Sequence, residues 1–347
     1  MEKIRVNTGR KYDIFIERNI LSSCGQIVRS VSKATTAAIV TDSNVAPLYL
    51  QMVKESLEKE GFRTVSFVFP AGETNKTIAT VTDILNFFAE NSMTRSDIAV
   101  ALGGGVTGDI TGFAAAIYMR GIEFVQIPTS LLAQIDSSVG GKTGADLPSG
   151  KNLCGAFHQP SAVIIDPEVL KTLPTKFFSD GMAEAIKYGC IKDAELFEKI
   201  SEGIDTENAD SMIYRCVDIK REIVEHDEKE KGERMLLNFG HTLGHSAEKL
   251  SNFTLTHGEG VGIGMYIMAK AGEKQGVTEK GSSEKIAELL KKYSLPLSCD
   301  ISLQDLCSGA LTDKKRSGNS INIVLLNKIG SAFTKKLPVE ELYDFVR

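Results

Sequence analysis

The strongest constraint on this chain is a rhythm in its first half: short apolar, β-branched runs stop at turn-forming residues and give way to helix-patterned stretches. Residues 37–40 stop at Thr41-Asp42-Ser43-Asn44, 64–69 at Pro70-Ala71-Gly72 and 98–102 at Gly103-Gly104-Gly105. Residues 124–127 stop at Pro128-Thr129, and 163–165 at Asp166-Pro167. Helical spacing over 48–61 and 77–90 lies between such runs, and Ser43 or Asn44 is the expected cap of the first of these helices. Strands separated by helices of this length need crossovers, which are right-handed, so the sheet they form is parallel. Residues 4–7 and 12–16 instead flank Thr8-Gly9-Arg10-Lys11 and read as a hairpin.

From about Phe177 the texture changes. Amphipathic stretches cover 181–192, 209–226, 241–250, 258–272 and 283–293, and 321–326 is the main strand-like run. A chain of 347 residues is long enough for two cores. The expected fold is therefore α/β: a Rossmann-like, parallel-sheet nucleotide-binding domain over 1–175, then a mainly helical domain over 176–347 that carries metal and substrate groups.

Composition narrows the partners. A formal net charge of −5 argues against a general nucleic-acid binder or a protein of anionic membranes, without forbidding a local basic pocket. No apolar run approaches the roughly 18 residues of a membrane span, and the start has no apolar signal segment. Cys24, Cys154, Cys190, Cys216, Cys299 and Cys307 form no CxxC pair and read as buried thiols of a reducing compartment. The expectation is a cytoplasmic protein acting on a small molecule.

Two glycine-rich segments suit anions. Gly103-Gly104-Gly105-Val106-Thr107-Gly108 satisfies G-x-G-x-x-G directly after an expected strand, where glycines allow a tight turn and close approach to a pyrophosphate at a helix N-terminus. That signal is weak alone, because glycine-rich strand ends are common and this one falls about 100 residues into the chain. Gly140-Gly141-Lys142-Thr143 is not a P-loop, since Asp136 stands where the first glycine is required. Lys142 between small residues still suits an anionic group.

Three of the five histidines fall between His241 and His257. His241 and His245 share a helix face at i, i+4, and His257 opens the next helix. Glu184, with Lys187 one turn later, is a plausible acid partner, although spacing alone leaves the acid ligand unassigned. Three N/O ligands with an open position are what a catalytic zinc uses. The absence of the HExxH glutamate argues against a zincin protease.

In order along the chain come Ala71-Gly72-Glu73-Thr74-Asn75-Lys76, residues 103–109, Tyr118-Met119-Arg120-Gly121, and residues 134–144. Gly150-Lys151-Asn152, residues 155–160, Lys171-Thr172-Leu173-Pro174, residues 184–187, residues 237–245 and His257-Gly258-Glu259 follow. With these segments the chain resembles the 3-dehydroquinate synthase family from about residue 42 to 330. The resemblance implies conversion of 3-deoxy-D-arabino-heptulosonate 7-phosphate to 3-dehydroquinate and phosphate. The implied route is transient oxidation by NAD, phosphate elimination, re-reduction and an intramolecular aldol closure.

The resemblance further implies Glu184, His241 and His257 as ligands of Zn2+ (or Co2+), with His245 left as an acid–base group. It places Asp42, Asn44, Glu73, Lys76, Gly104, Gly105, Asp109, Thr129, Ser130, Asp136, Lys142, Lys151 and Thr172 around NAD. Substrate would be held by Asp136, Lys142, Asn152, Lys187, Lys220, Arg234, Asn238 and a lysine of Asp313-Lys314-Lys315, taken as Lys315. Lys142, Lys187, Glu230, Arg234 and Asn238 join His245 as catalytic residues, Glu230 as an orienting group. Arg120 would reach a neighbouring subunit's site in a homodimer. A substrate with a carboxylate and a phosphate needs two cationic groups: Lys220 with Arg234 suits the first, and Lys142, Asn152, Asn238 and Lys315 the second.

Ser130 stands where the family usually has threonine, Asp146 where it has asparagine, and Ser246-Ala247 follow His245 where the family usually has alanine and then isoleucine or valine. Two other readings stand beside it: a sister sugar-phosphate cyclase of the 2-deoxy-scyllo-inosose synthase type, which shares the chemistry, and a metal-dependent polyol dehydrogenase, similar in fold, that releases NADH. The cationic pair Lys220 and Arg234 favours a carboxylated substrate over the first. The set Lys142, Lys151, Asn152 and Arg234 argues against the second.

Overall fold

The apolar runs of the first half become strands buried on both faces. Residues 1–252, 254–310, 316–317 and 319–347 are described here from a computed structural model. They divide into two compact units, Met1–Leu173 and Pro174–Arg347.

In chain order the first unit holds β1 (Glu2–Val6), β2 (Tyr12–Ile16), α1 (Cys24–Val31), β3 (Thr36–Asp42), α2 (Gln51–Lys59), β4 (Arg63–Phe69) and α3 (Ile78–Glu90). Then come β5 (Ile98–Gly103), α4 (Gly105–Ile117), β6 (Glu123–Pro128), β7 (Lys142–Leu147), β8 (Gly150–Phe157) and β9 (Ala162–Ile165). Seven strands form one sheet in the order β1-β2-β9-β6-β5-β3-β4. Only the β1–β2 hairpin pairs antiparallel in it; the other strand pairs are parallel.

Side chains alternate across the strands. Ala37, Ile39, Val100 and Ile164 pack under α1 and α2 against Val28, Val53 and Leu57. Ala38, Val40, Ala99 and Phe124 pack under α3 and α4 against Val81, Ile84 and Ile110. Burial on both faces is why these strands read as continuous apolar runs. The chain moves outward from β3 to β4 and then returns to the other side of β3 as β5. The carboxyl ends of β3 and β5 therefore flank a topological switch point, where open α/β sheets bind ligands.

Local chemistry departs from expectation in two places. The cap after β3 is Asp42 itself: its Oδ1 accepts the Asn44 and Val45 N–H groups at 2.8 and 3.1 Å, while the Ser43 hydroxyl accepts from the Ala71 N–H. A wide π-helical turn, Ala46–Leu50, then leads into α2. The second departure is the antiparallel pair β7–β8, which the sequence does not announce. Gly144 and Gly155 face each other across it, and a Cβ on Gly144 would lie 2.6 Å from the Cys154 carbonyl oxygen. Strands built on glycine and polar residues lack the β-branched signature.

The second unit is mainly helical: α5 (Thr175–Ile191), α6 (Ala194–Glu202), α7 (Asp210–His226), α8 (His241–Leu250), α9 (His257–Lys274), α10 (Ser282–Lys292) and α11 (Leu303–Ala310). A small antiparallel sheet in the order β10 (Arg316–Ser317), β11 (Ser320–Lys328), β12 (Ser331–Pro338) and a last turn, α12 (Leu342–Val346), complete it. The strand β12 escaped the sequence reading because half its residues are polar and partly exposed. The short helix α6 escaped it too, although Asp193 caps it by accepting the Leu196 N–H at 3.0 Å.

The helices α8 and α9 approach backbone to backbone. A Cβ on Gly244 would lie 2.8 Å from the Gly260 carbonyl, and one on Gly260 would lie 2.7 Å from the Gly244 oxygen. Gly264 faces the Gly240 oxygen in the same way, and Gly240 also needs its left-handed φ of 79°. Among the described residues no helix is long and apolar enough to cross a membrane. Four cysteines are buried as expected, but Cys154 and Cys299 are only half-buried.

Two expectations follow. Gly244→Ala has no space between α8 and α9, so it should cost about 1–3 kcal/mol through overpacking; an unchanged urea midpoint would refute the close approach. His158, stacked on Phe124 at 5.2 Å and bonded to the Ile122 carbonyl, is pushed below its ordinary pKa by burial. As pH falls below about 6.5 the unfolded chain binds this proton first, so stability is present above that pH and lost below it. Urea midpoints compared at about pH 7.5 and 5.5 should fall further for the native chain than for His158→Gln, and equal falls would contradict it.

Candidate functional site

The metal-ligating residue types converge in the second unit. Glu184 lies on α5 with no exposed surface, and Lys187, one turn later, is 1% exposed and pairs with it. His241 is the first residue of α8 and His257 the first of α9. The start of α9 is set by a capping box, in which the Glu259 carboxylate accepts the Thr256 N–H at 2.7 Å while Glu259 N–H donates to Thr256 Oγ1. That Thr-x-x-Glu signature was readable in the sequence and fixes where His257 stands.

The geometry is convergent at one oxygen. Nε2 of His241 lies 3.3 Å and Nε2 of His257 3.1 Å from Glu184 Oε1. The three ligand atoms lie within 4.8 Å of one another, as do those of a second group, His245, Glu248 and His257. Nδ1 of His241 is 3.1 Å from the Phe239 carbonyl and so is the protonated nitrogen. Its Nε2 then presents a lone pair to a carboxylate oxygen, which is repulsive unless a cation lies between them. The donor set therefore fits a divalent ion of the zinc type.

Electrostatics separate the two imidazoles. Burial first, with Lys187 adding to it, pushes His241 down to about 3, so it is neutral. For His257 burial is outweighed by Glu184 and Glu248 on either side, which push it up to about 10. Burial opposes the charge of Glu184, but Lys187, helped by the hydrogen bond from His257, holds its carboxyl well below the usual range. His245 is half-buried, its ring centroid 5.2 Å from that of His241.

Other expected residues of this unit lie on α7 and the loop after it. Lys220 is 6% and Arg234 1% exposed, the latter donating from Nη1 to the Glu228 carbonyl at 2.5 Å. Asn238 Nδ2 donates to Glu230 Oε1 at 2.7 Å, and Glu230 sits at a left-handed φ of 58°. Lys314 and Lys315 lie outside the described residues. The sequence reading did not single out Glu248, although it stands at i+7 from His241, on the face that already carries His245.

In the first unit the expected nucleotide residues gather at the strand ends. Asp42 ends β3, and its Oδ2 accepts from the Thr107 hydroxyl at 3.4 Å. Gly104 is the N-cap of α4 with no side-chain cap, and Thr129 N–H donates to the Gly103 carbonyl at 3.0 Å. The glycines there do not serve a left-handed turn, since Gly103, Gly105 and Gly108 all lack a positive φ. They serve close packing: a Cβ on Gly108 would lie 2.6 Å from Gln126 Oε1.

A second group is tied by charge. Lys76, 5% exposed, places Nζ 2.6 Å from Asp109 Oδ2 and 2.6 Å from Asn152 Oδ1. Burial disfavours its charge, but Asp109 and Glu73 outweigh burial and raise its pKa. Lys151 pairs with Glu73 at 3.0 Å. Asp146 accepts the Asn152 N–H at 2.7 Å and donates its own N–H to the Lys76 carbonyl. Burial, ahead of its charged neighbours, raises the Asp146 pKa. Asn44, Lys142 and Thr172 are exposed, the last bonded to the Tyr49 hydroxyl at 2.6 Å. Ser130 accepts the Ala133 N–H, Asp136 lies half-buried in the turn Ala133–Ser137, and Arg120 is exposed at φ 69°.

Comparison with known proteins decides the family. Residues 66–180 match the family model for 3-dehydroquinate synthase N-terminal, and residues 181–316 that for 3-dehydroquinate synthase C-terminal. The chain belongs to the 3-dehydroquinate synthase family. It is 46% identical over 354 aligned positions to a 3-dehydroquinate synthase of Clostridium acetobutylicum, covering 100% of this chain and 99% of that one. Among solved structures it is similar to 2-deoxy-scyllo-inosose synthase complexed with carbaglucose-6-phosphate, NAD+ and Co2+, with a TM-score of 0.89 at 24% identity over 100% and 99% of the two chains. It is also similar to a 2-epi-5-epi-valiolone synthase from Streptomyces hygroscopicus with NAD+ and Zn2+ bound, with a TM-score of 0.87 at 25% identity over 99% and 97%.

Proposed function

We propose that the chain carries out the 3-dehydroquinate synthase reaction, an NAD- and divalent-metal-dependent lyase step of the shikimate pathway that releases phosphate from 3-deoxy-D-arabino-heptulosonate 7-phosphate. The observation that carries this reading is the convergence of two imidazole Nε2 atoms on one Glu184 oxygen in a chain with full-length relatives of that activity.

Glu184, His241 and His257 hold the ion, Zn2+ or Co2+, which supplies Lewis acidity to substrate hydroxyls. NAD supplies a hydride acceptor that is regenerated in each turnover. The chain's own residues then orient and neutralise. The Phe239 carbonyl holds the Nδ1–H of His241 and so fixes which nitrogen is the ligand. His245 moves a proton at its ring nitrogen, and Lys187, buried beside Glu184, keeps that carboxylate ionised. Arg234 with Lys220 takes the substrate carboxylate, where a guanidinium fork binds both oxygens. Asn238, oriented by Glu230, takes the phosphate.

The unit Met1–Leu173 is the NAD-binding domain in this reading and Pro174–Arg347 the metal- and substrate-binding domain. The N-terminus of α4 at Gly104 and Gly105 offers peptide N–H groups to the pyrophosphate. Asp42, Asn44, Glu73, Lys76, Asp109, Thr129, Ser130, Asp136, Lys142, Lys151 and Thr172 complete the cofactor residues. Arg120, exposed beside Met119, is offered to a partner subunit of a homodimer, and the cytoplasm is the compartment.

The deciding assay is purified chain with catalytic NAD, a divalent metal and the heptulosonate phosphate. Stoichiometric phosphate release without net NADH is expected; NADH accumulation would assign a dehydrogenase, and turnover only of a carboxylate-free sugar phosphate would assign a sister cyclase. His241→Ala should lose the bound ion while keeping NAD binding, read by metal analysis after gel filtration. One retained ion per chain would remove His241 from the ligand set.

A further inference from the structure

One face of α8 carries His241, His245 and Glu248 at i, i+4 and i+7, and His257 at the start of α9 meets that face. Glu248 is 3% exposed, and a buried carboxylate is costly unless cationic or donor groups face it. Its Oε2 lies 3.6 Å from His257 Nδ1, an ion-pair separation, so it acts on the ring by charge. His257 thus stands between two carboxylates, Glu184 at Nε2 and Glu248 at Nδ1.

The two converging imidazoles are therefore backed by unlike acceptors. Behind His241 is the neutral Phe239 carbonyl, and behind His257 is an anion. The backbone of His257 is pinned separately, because the following N–H, that of Gly258, donates to the Asp180 carboxylate on α5. With the main chain fixed, ring rotation is the freedom that remains.

We propose that Glu248 is a positioning residue that acts through His257: it draws the ring proton to Nδ1, leaves the Nε2 lone pair for the divalent ion and strengthens that nitrogen as a donor. The inference rests on the reading of Glu184, His241 and His257 as the ligand set. Outer acceptors of this kind are worth roughly 10–100-fold in metal affinity.

The test is the Zn2+ dissociation constant of the full chain, by competition with a chromogenic chelator at fixed pH, for the native protein and Glu248→Gln. The amide keeps the size and an acceptor oxygen but loses the charge. Affinity should fall about 10–100-fold, the visible absorption of the Co2+-substituted protein should shift, and stoichiometry should stay at one ion. Glu248→Asp, which keeps the charge, should recover part of the affinity and serves if Glu248→Gln does not fold. A lower melting temperature with unchanged affinity and Co2+ spectrum would reduce Glu248 to a structural role and overturn the proposal. Two ions in the native chain and one in Glu248→Gln would make Glu248 a ligand and overturn it as well. If Glu184→Gln and His241→Ala keep native affinity, the ligand reading itself fails; if they lose the ion while Glu248→Gln does not, only the role of Glu248 falls.

Discussion

The second unit depends on one contact in which no side chain takes part: the backbone-to-backbone meeting of α8 and α9. Helix axes usually stay about 8–10 Å apart because side chains fill the space between them. Here Gly240, just ahead of α8, and Gly244 within it face Gly260 and Gly264 of α9, and any Cβ would fall inside 3.0 Å of a neighbour. His241 and His257, each at the first position of its helix, are carried toward each other by that approach. Their ring centroids stand 5.2 Å apart as a consequence. The acid partner arrives by a similar device, since Gly258 also packs against the Asp180 main chain and brings α5 with Glu184 alongside. The arrangement of these three side chains is thus set by glycines, which offer no chemistry of their own.

The first unit solves a different problem. Its sheet supplies a switch point between β3 and β5, but the groups around it are polar, and several are held by ion pairs. Lys76 is shared between Asp109 and Asn152, and Lys151 is held by Glu73. Asp146 ties the two segments together, through its carboxylate to the Asn152 N–H and through its own N–H to the Lys76 carbonyl. An asparagine at 146 could accept the same hydrogen bond. The extra charge of Asp146 is thus not needed for the turn, and it faces the two lysines from close by.

Much of this was legible because burial writes itself into sequence. Strands covered on both faces are apolar without interruption, so β3, β5, β6 and β9 were evident to within two residues. The helices α7, α8 and α9 show their spacing because one side meets a core. The hairpin β7–β8 was hidden because glycines at 144 and 155 let its backbones pack without β-branched residues. The histidine cluster could be read from spacing, whereas its acid partner lies more than 50 residues away: Glu184 was plausible from pattern alone but was assigned only by the family likeness. Glu248 went unread because a single acid at i+7 resembles any solvated helix face until burial is known.

Charge accounting explains why the histidine cluster calls for a cation and not merely a hydrogen-bond network. Glu184 and Glu248 are buried, and Asp180 is half-buried against the N-terminus of α9. Of the cations, Lys187 is paired with Glu184 in the interior. With neutral imidazoles, three carboxylates against one ammonium leave a double negative charge in a region of low dielectric, a cost of several kcal/mol per uncompensated ion. A proton on His257 removes half of it, which is the physical content of its raised pKa. A divalent ion removes all of it, and does so at the point where the lone pair of His241, the ring of His257 and the Glu184 oxygen already meet.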